Sequence, residues 1–438
     1  MTPNAAPDRP RLAGIAAGSF MGTAVATAAL GVAGVLNSRL LGPADKGRAT
    51  VLVIVATIVA TLASCGVDVW GATRIGRSGL TKAVARVLRR QCQIVILVAA
   101  AAAVPIVLAG AGPSAAGAAA ALIAGTALFL LCLSVPAGQG RTAALAGTQV
   151  LSGVGTLALT AVVFLLGRPS IALVVLALGL ARLGAGIFAG RPLLHVRDLP
   201  EGQAEPFRAI LKFGLPASLG SALTLGIYRA DTLVVAALGS AREAGLYAVA
   251  STLTELMWTV PDAIALVLVP HTAATLAFED SARAIRFTAV IVLTGGTALA
   301  LASPWLLPFV FGSDYADAWH ALPPLVVASV FLATWKLLVA DLAGRGDTTI
   351  RPWSMLAGIV VMVLVAAALV PGLGIVGAGI GSAVGYATAM GLAVRAWRER
   401  GGSVRALVPP HRGDLRVARE ALARVRQRRV EVQDGHDG

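Results

Sequence analysis

Cysteine is scarce: the chain has only Cys65, Cys92 and Cys132. There is no CxxC pair and no histidine near any of them at ligand spacing, so the sequence encodes neither a disulfide framework nor a thiolate metal site. We read the three as small buried hydrophobes. The histidines, His195, His271, His320, His411 and His436, are scattered, with no HExxH and no i, i+4 pair. A GxxxxGK[ST] loop is missing too, which excludes a nucleotide-driven engine of the P-loop type. Aromatic residues make up 5% of the chain and do not interleave with cations, so a base-stacking nucleic-acid surface is excluded. Charge is sparse as well, at 13% of residues against about 25% in a soluble domain. No catalytic constellation, metal site, cofactor or nucleic-acid partner emerges from this inventory, and the chain reads as a non-enzyme.

Apolar sequence is abundant, at 57% of the chain. A helix needs roughly 20 apolar residues to cross about 30 Å of hydrocarbon. Runs of that kind fall at 12–36, 48–72, 91–111, 115–137, 142–166, 170–189, 213–237, 246–272, 287–311, 321–342, 353–371 and 376–394. They predict an all-α polytopic membrane protein with about twelve transmembrane helices. The text from 91 to 137 is the hardest to divide, because only Gly110 to Ser114 interrupts it. Arg9 and Arg11 followed by Ala24-Val25-Ala26 resemble a signal peptide, but the apolar run is too long and reads as the first spanning helix.

The net charge of +14 is distributed by topology. Alternate loops carry almost all the lysine and arginine, including Arg74 to Arg90, Arg191 to Lys212 and the run from Arg395 to Arg429. The opposite loops hold only Arg39, Lys46, Arg48, Arg168 and Arg242. The positive-inside rule therefore places both termini in the cytoplasm of a multi-pass cell-membrane protein. The outer loops are short, which excludes an extracytoplasmic catalytic domain.

The stretch from 207 to 273 is two apolar runs joined by the polar turn Leu238-Gly-Ser-Ala-Arg-Glu-Ala-Gly245. The same plan recurs near the start of the chain around Leu41-Gly-Pro-Ala-Asp-Lys-Gly47. Sliding one on the other puts Leu41-Gly42 over Leu238-Gly239 and, after one insertion, Gly47 over Gly245. This suggests homologous halves, although apolar, Gly-rich text also matches by chance. The organisation is then a cytoplasmic N-terminus (1–11), an N-lobe (12–190), a cytoplasmic linker (191–212), a C-lobe (213–395) and a basic cytoplasmic tail (396–438). Within the tail, 414–433 has helical spacing of apolar residues among arginines. It reads either as a helix on anionic headgroups or as a solvated segment.

Charged groups inside the spans are costly and are functional candidates by default. Glu255 falls near the midplane, with Arg182 and Lys336 slightly inward of centre. Arg229 and Asp231 lie in the outer half of the seventh helix. Asp68, Asp262 and Asp341 are close enough to the inner surface to snorkel, and read as interfacial anchors or structural ion pairs. Residues two apart on a helix do not share a face, so Arg229 is the better cavity candidate and Asp231 caps or pairs toward the outside.

Leu211-Lys-Phe-Gly-Leu-Pro216, Asp231-Thr-Leu-Val-Val235, Ala244-Gly-Leu-Tyr-Ala-Val-Ala250 and Pro270 resemble the polysaccharide-biosynthesis flippases, the O-antigen-type exporters of the multidrug/oligosaccharidyl-lipid/polysaccharide superfamily. Asn37-Ser-Arg-Leu-Leu-Gly-Pro43 looks like that family's first outer loop. The resemblance implies two six-helix lobes around a central cavity, alternating access, and a polyprenyl-diphosphate-linked oligosaccharide as cargo. Membrane lipids and glycan-polymerising or glycosyltransferase proteins are the implied partners. Lipid II flippases carry an Arg-Asp pair in the first helix, and many multidrug antiporters carry a coupling carboxylate there. The text from Ala13 to Leu36 has neither.

On this reading Arg229, Lys336 and Arg182 are the cations that handle the diphosphate, Glu255 couples transport to an ion, and Asp231, Arg39 and Asp262 form a second tier. The alternatives are a cation-coupled multidrug antiporter and a non-transporting scaffold of a glycan-synthesis complex.

Overall fold

A computed structural model describes residues 9–108, 112–167 and 170–407. Among the described residues there is no strand. The helices are α1 (Arg9–Ala63), α2 (Val67–Ser78), α3 (Lys82–Leu108), α4 (Pro113–Gly138), α5 (Thr142–Leu165), α6 (Ile171–Ala189), α7 (Phe207–Leu238), α8 (Ala241–Glu255), α9 (Thr259–Thr275), α10 (Phe278–Phe311), α11 (Leu322–Gly344) and α12 (Ile350–Glu399). The amphipathic stretch at 414–433 lies outside the described residues.

Among the described residues ten segments are long and apolar enough to cross a membrane. Two of the helices involved, α1 with 55 residues and α12 with 50, are far too long for a single crossing. Each is interrupted at a glycine. Gly42 has φ 69° and ψ 171° and precedes Pro43, and Gly374 has φ 53° and ψ −132°. The second geometry is open to glycine and strained for any other residue. After Gly374 the chain doubles back: a Cβ on Gly377 would stand 2.7 Å from the Leu369 carbonyl, and one on Gly385 would stand 2.6 Å from Met362 Cβ. Divided at Gly42 and Gly374, the ten segments supply twelve crossings, as the apolar runs predict.

The second run ends earlier than its apolarity suggests. Helix α1 stops at Ala63, the chain turns through Ser64 to Gly66, and α2 starts afresh. Asp68, Arg74 and Arg77 give α2 a charged side, while Val67, Trp70, Gly71 and Ile75 are buried. Such a helix suits an interface better than a bilayer core. Trp70 Nε1 donates to Glu205 at 3.0 Å and Arg74 pairs with the same carboxylate at 3.0 Å, fastening α2 to the segment before α7.

The chain folds as two compact units. One comprises Met1–Ala250, Ser303–Ala321 and Ala366–Ala378; the other comprises Ser251–Ala302, Leu322–Val365 and Gly379–Gly438. Within the first, the start of α1 runs parallel to α5, with Gly22 against Ala146 and Gly153 against Ala26. Helices α4 and α6 also run parallel, with Leu122 beside Gly179 and Phe129 beside Gly186. In the second unit α9 and α11 run parallel, pairing Asp262 with Lys336 and Thr272 with Gly344. Parallel packing between helices an even number of crossings apart is what strict alternation across a membrane requires.

The second arm of α1 meets the start of α8 backbone to backbone. A Cβ on Gly47 would stand 2.8 Å from Gly245 N and closer still to the Ala241 carbonyl oxygen. Reciprocally, one on Gly245 would stand 3.0 Å from Gly47 N and closer to the Pro43 carbonyl. The glycines that the hairpin alignment superposes thus touch each other in a near-symmetric contact. Beside them, Ser240 and Glu243 form a capping box: Ser240 N donates to Glu243 Oε2 at 2.8 Å and Glu243 N to Ser240 Oγ at 3.1 Å.

Candidate functional site

The run at 246–272 is a single stretch in the sequence and a broken helix in the structure. Pro261 has no N–H to offer the Met257 carbonyl, and its ring crowds that carbonyl. Regular α-helix ends at Glu255, Leu256–Trp258 winds as a 3₁₀ turn, and α9 resumes at Thr259. A 3₁₀ turn inside a long helix frees backbone groups and re-aims side chains.

Polar groups gather at this break. Lys336 of α11, 8% exposed at its side chain, places Nζ 2.8 and 2.9 Å from the two carboxylate oxygens of Asp262. Its ammonium also lies 5.3 Å from the centroid of the Trp258 ring, within cation–π range. Trp258 Nε1 donates to Ser329 Oγ at 3.2 Å. Ser329 sits two turns before Lys336 on the same face of α11, so one helix face holds both the indole and the cation. Glu255 stands close enough for its charge to act on Lys336. Asp262 is 60% exposed at its side chain, while the lysine is enclosed. The arrangement is an enclosed cation paired with an exposed carboxylate.

Arg229, Asp231, Arg182 and Arg39 belong to the other unit. Asp231 is buried and faces α8, accepting from Tyr247 Oη at 2.7 Å and from Thr232 N at 2.6 Å. Arg229, half-buried, is close enough to Lys46 of α1 for the two positive charges to act on each other. In the sequence Lys46 reads as part of an outer loop. With the break confined to Gly42, the lysine falls inside a helix instead. Arg182, half-buried on α6, donates from Nη1 to Thr126 Oγ1 of α4 at 2.8 Å. Among the described residues no carboxylate reaches it.

Arg39 has a different task. Its guanidinium donates to the carbonyl oxygens of Phe309 at 2.5 Å and Val310 at 2.8 Å, at the end of α10. Those carbonyls lack intrahelical partners, and a cation there also complements the helix dipole. Tyr315 Oη donates to the Ser38 carbonyl at 3.0 Å in the same corner.

Asp341 does not snorkel. It is wholly buried, and its carboxylate accepts from Thr272 Oγ1 at 2.9 Å, Trp397 Nε1 at 2.8 Å, Arg345 Nε at 2.8 Å and Ser281 Oγ. It ties α9, α10, α11 and α12 together. The Arg345 spacing, i+4 from Asp341 just past the end of α11, is readable in the sequence; the partners on other helices are not.

Residues 139–320 match the sequence family described as polysaccharide biosynthesis protein. No curated protein sequence matches the chain. Among solved structures, an inward-facing multidrug resistance MATE family transporter of the MOP superfamily superposes with a TM-score of 0.69 at 18% identity, covering 87% of this chain and 98% of that one. The lipid II flippase MurJ in an inward closed conformation gives a TM-score of 0.72 at 11% identity, covering 90% and 88%. A MOP superfamily transporter from Pyrococcus furiosus, for which reverse polarity of the binding pocket suggests a different function, gives 0.60 at 17% identity, covering 88% and 94%. The chain therefore shares the fold of these transporters, and residues 139–320 are similar in sequence to the polysaccharide biosynthesis family.

Proposed function

We propose that the protein flips a polyprenyl-diphosphate-linked oligosaccharide from the cytoplasmic to the outer leaflet of the cell membrane by alternating access, in the service of cell-surface polysaccharide synthesis. Both termini then lie in the cytoplasm. The observation that carries this reading is the sheltered cation Lys336, held in a candidate spanning segment by a mostly exposed carboxylate. A diphosphate headgroup is prohibitively costly in hydrocarbon and needs fixed cations along a wet path. In this scheme the diphosphate displaces Asp262 from Lys336, while Arg229 with Lys46, and Arg182, provide further positive charge. Glu255, at the end of α8, changes protonation and couples the cycle to an ion gradient.

The multidrug reading is the second candidate. It is favoured by the near-complete coverage of the multidrug transporter's chain and by the carboxylates Glu255 and Asp262 at the helix break. Purified protein in vesicles separates the two. The proposal expects a fluorescent lipid-linked oligosaccharide to change leaflets and a cationic dye not to accumulate, with Glu255→Gln removing the response to a pH gradient. Gradient-driven dye accumulation with an immobile sugar lipid would replace the flippase reading with the antiporter.

A further inference from the structure

A furrow of about 240 Å³ lies in the first unit between α3, α4 and α6. Its floor is Leu128 and Cys132 of α4. Helix α6 lies directly on α4, because Gly186 and Gly190 have no side chains: a Cβ on Gly186 would stand 3.0 Å from Phe129 N, and one on Gly190 would stand 2.7 Å from Cys132 Sγ. Helix α3 packs along another side of α4, which leaves a trough between α3 and α6. The 3₁₀ segment Arg191–Asp198 closes one end with Leu193 and Leu194.

The walls are almost wholly apolar. Ile187 and Leu194 on the rim are 58% and 68% exposed, so the trough opens outward from spanning helices, toward hydrocarbon. At its mouth stand Arg89 and, one turn on, Gln93. Both are exposed, and among the described residues neither has a hydrogen-bond or ion-pair partner. The nearby Arg191 is engaged differently, 4.7 Å over the Phe188 ring. A guanidinium fork matches a phosphate monoanion, and an arginine at a helix end reaches the headgroup layer while its stem lies along apolar surface.

We infer that this furrow is a binding site for an anionic phospholipid, with an acyl chain along Leu128 and Ile187 and the phosphate on Arg89 and Gln93. The leaflet is the one that the charge bias assigns to the cytoplasm. The site shares no residue with the polar groups at the α8–α9 break and needs no assumption about cargo.

Native mass spectrometry of the full chain, released from mixed phosphatidylglycerol and phosphatidylcholine, tests it. The site predicts that phosphatidylglycerol is retained preferentially and that Arg89→Ala weakens this retention about fivefold. Arg90→Ala, which removes the same charge about 100° away around the helix, should leave retention unchanged. Ile187→Trp, at a rim position 58% exposed, should displace the lipid by filling the trough. Equal losses from Arg89→Ala and Arg90→Ala would reduce the effect to diffuse charge and overturn the site. So would equal retention of phosphatidylcholine, or preferential retention of an isoprenoid lipid.

Discussion

Gly47→Ala adds one methyl group at the contact where α1 meets α8. Its Cβ would stand 2.8 Å from Gly245 N, and nearer to the Ala241 carbonyl, where ordinary contact begins at 3.4 Å. Both neighbours are helix backbone, so no side chain can swing aside and the helices must part. Overpacking of this kind costs about 1–3 kcal/mol. Alanine also gains about 0.5–1 kcal/mol over glycine within a helix, which masks part of the loss. Gly31→Ala on the same helix isolates the packing cost, because nothing lies within 4 Å of its Cβ. The propensity gain is common to both variants and cancels between them. In matched detergent melts Gly47→Ala should fall about 2–6 °C below Gly31→Ala, taking about 2 °C per kcal/mol for a large domain. Gly245→Ala should behave like Gly47→Ala, and the double variant should lose less than the sum, because both act on one contact. Equal melting of Gly47→Ala and Gly31→Ala would refute the close approach.

Asp341→Asn leaves Arg345 with half a partner inside a closed network of donors, and should cost about 3–5 kcal/mol. The expected signature is loss of the monodisperse peak in size-exclusion chromatography, while Asp314→Asn on the exposed turn after α10 leaves it intact. Asp347 lies between α11 and α12, outside the spans, and accepts from Thr349 Oγ1 at 2.7 Å and Thr349 N at 2.9 Å, with Arg400 adding an ion pair. These donors, led by the Thr349 hydroxyl, hold its carboxyl below the usual range. A depressed folded-state pKa contributes stability above the unfolded value of about 3.9, lost as pH falls through the folded pKa. Asp347→Asn should therefore melt lower than wild type at neutral pH, and the gap should close in acid. A gap independent of pH would refute the assignment.

The spanning helices were legible because hydrocarbon imposes a length and a polarity that few sequences meet by accident. Their interruptions were less so. Residues 48–72 read as one run because Cys65-Gly66-Val67 is apolar, although Asp68, Arg74 and Arg77 already marked α2 as surface-seeking. Pro261 identifies the break at Met257 once its missing N–H is counted, and that break puts Glu255, Trp258 and Asp262 around one lysine. Depth along a helix placed Asp341 near the surface but gave no information about its face, and the face decides whether a carboxylate snorkels or is enclosed. Arg39 was beyond reach altogether, since the carbonyls it caps are 270 and 271 residues away.

The claim that intramembrane cations handle an anionic headgroup is tested most directly by flipping one oligosaccharide on two carriers, a polyprenyl diphosphate and an uncharged polyprenyl ether, in vesicles containing wild type or Lys336→Gln. The account predicts that wild type moves the diphosphate-linked sugar much faster than the neutral one, and that Lys336→Gln, at equal insertion, erases the difference by slowing the diphosphate alone. Equal rates for the two carriers in wild type, or an undiminished preference in Lys336→Gln, would contradict it.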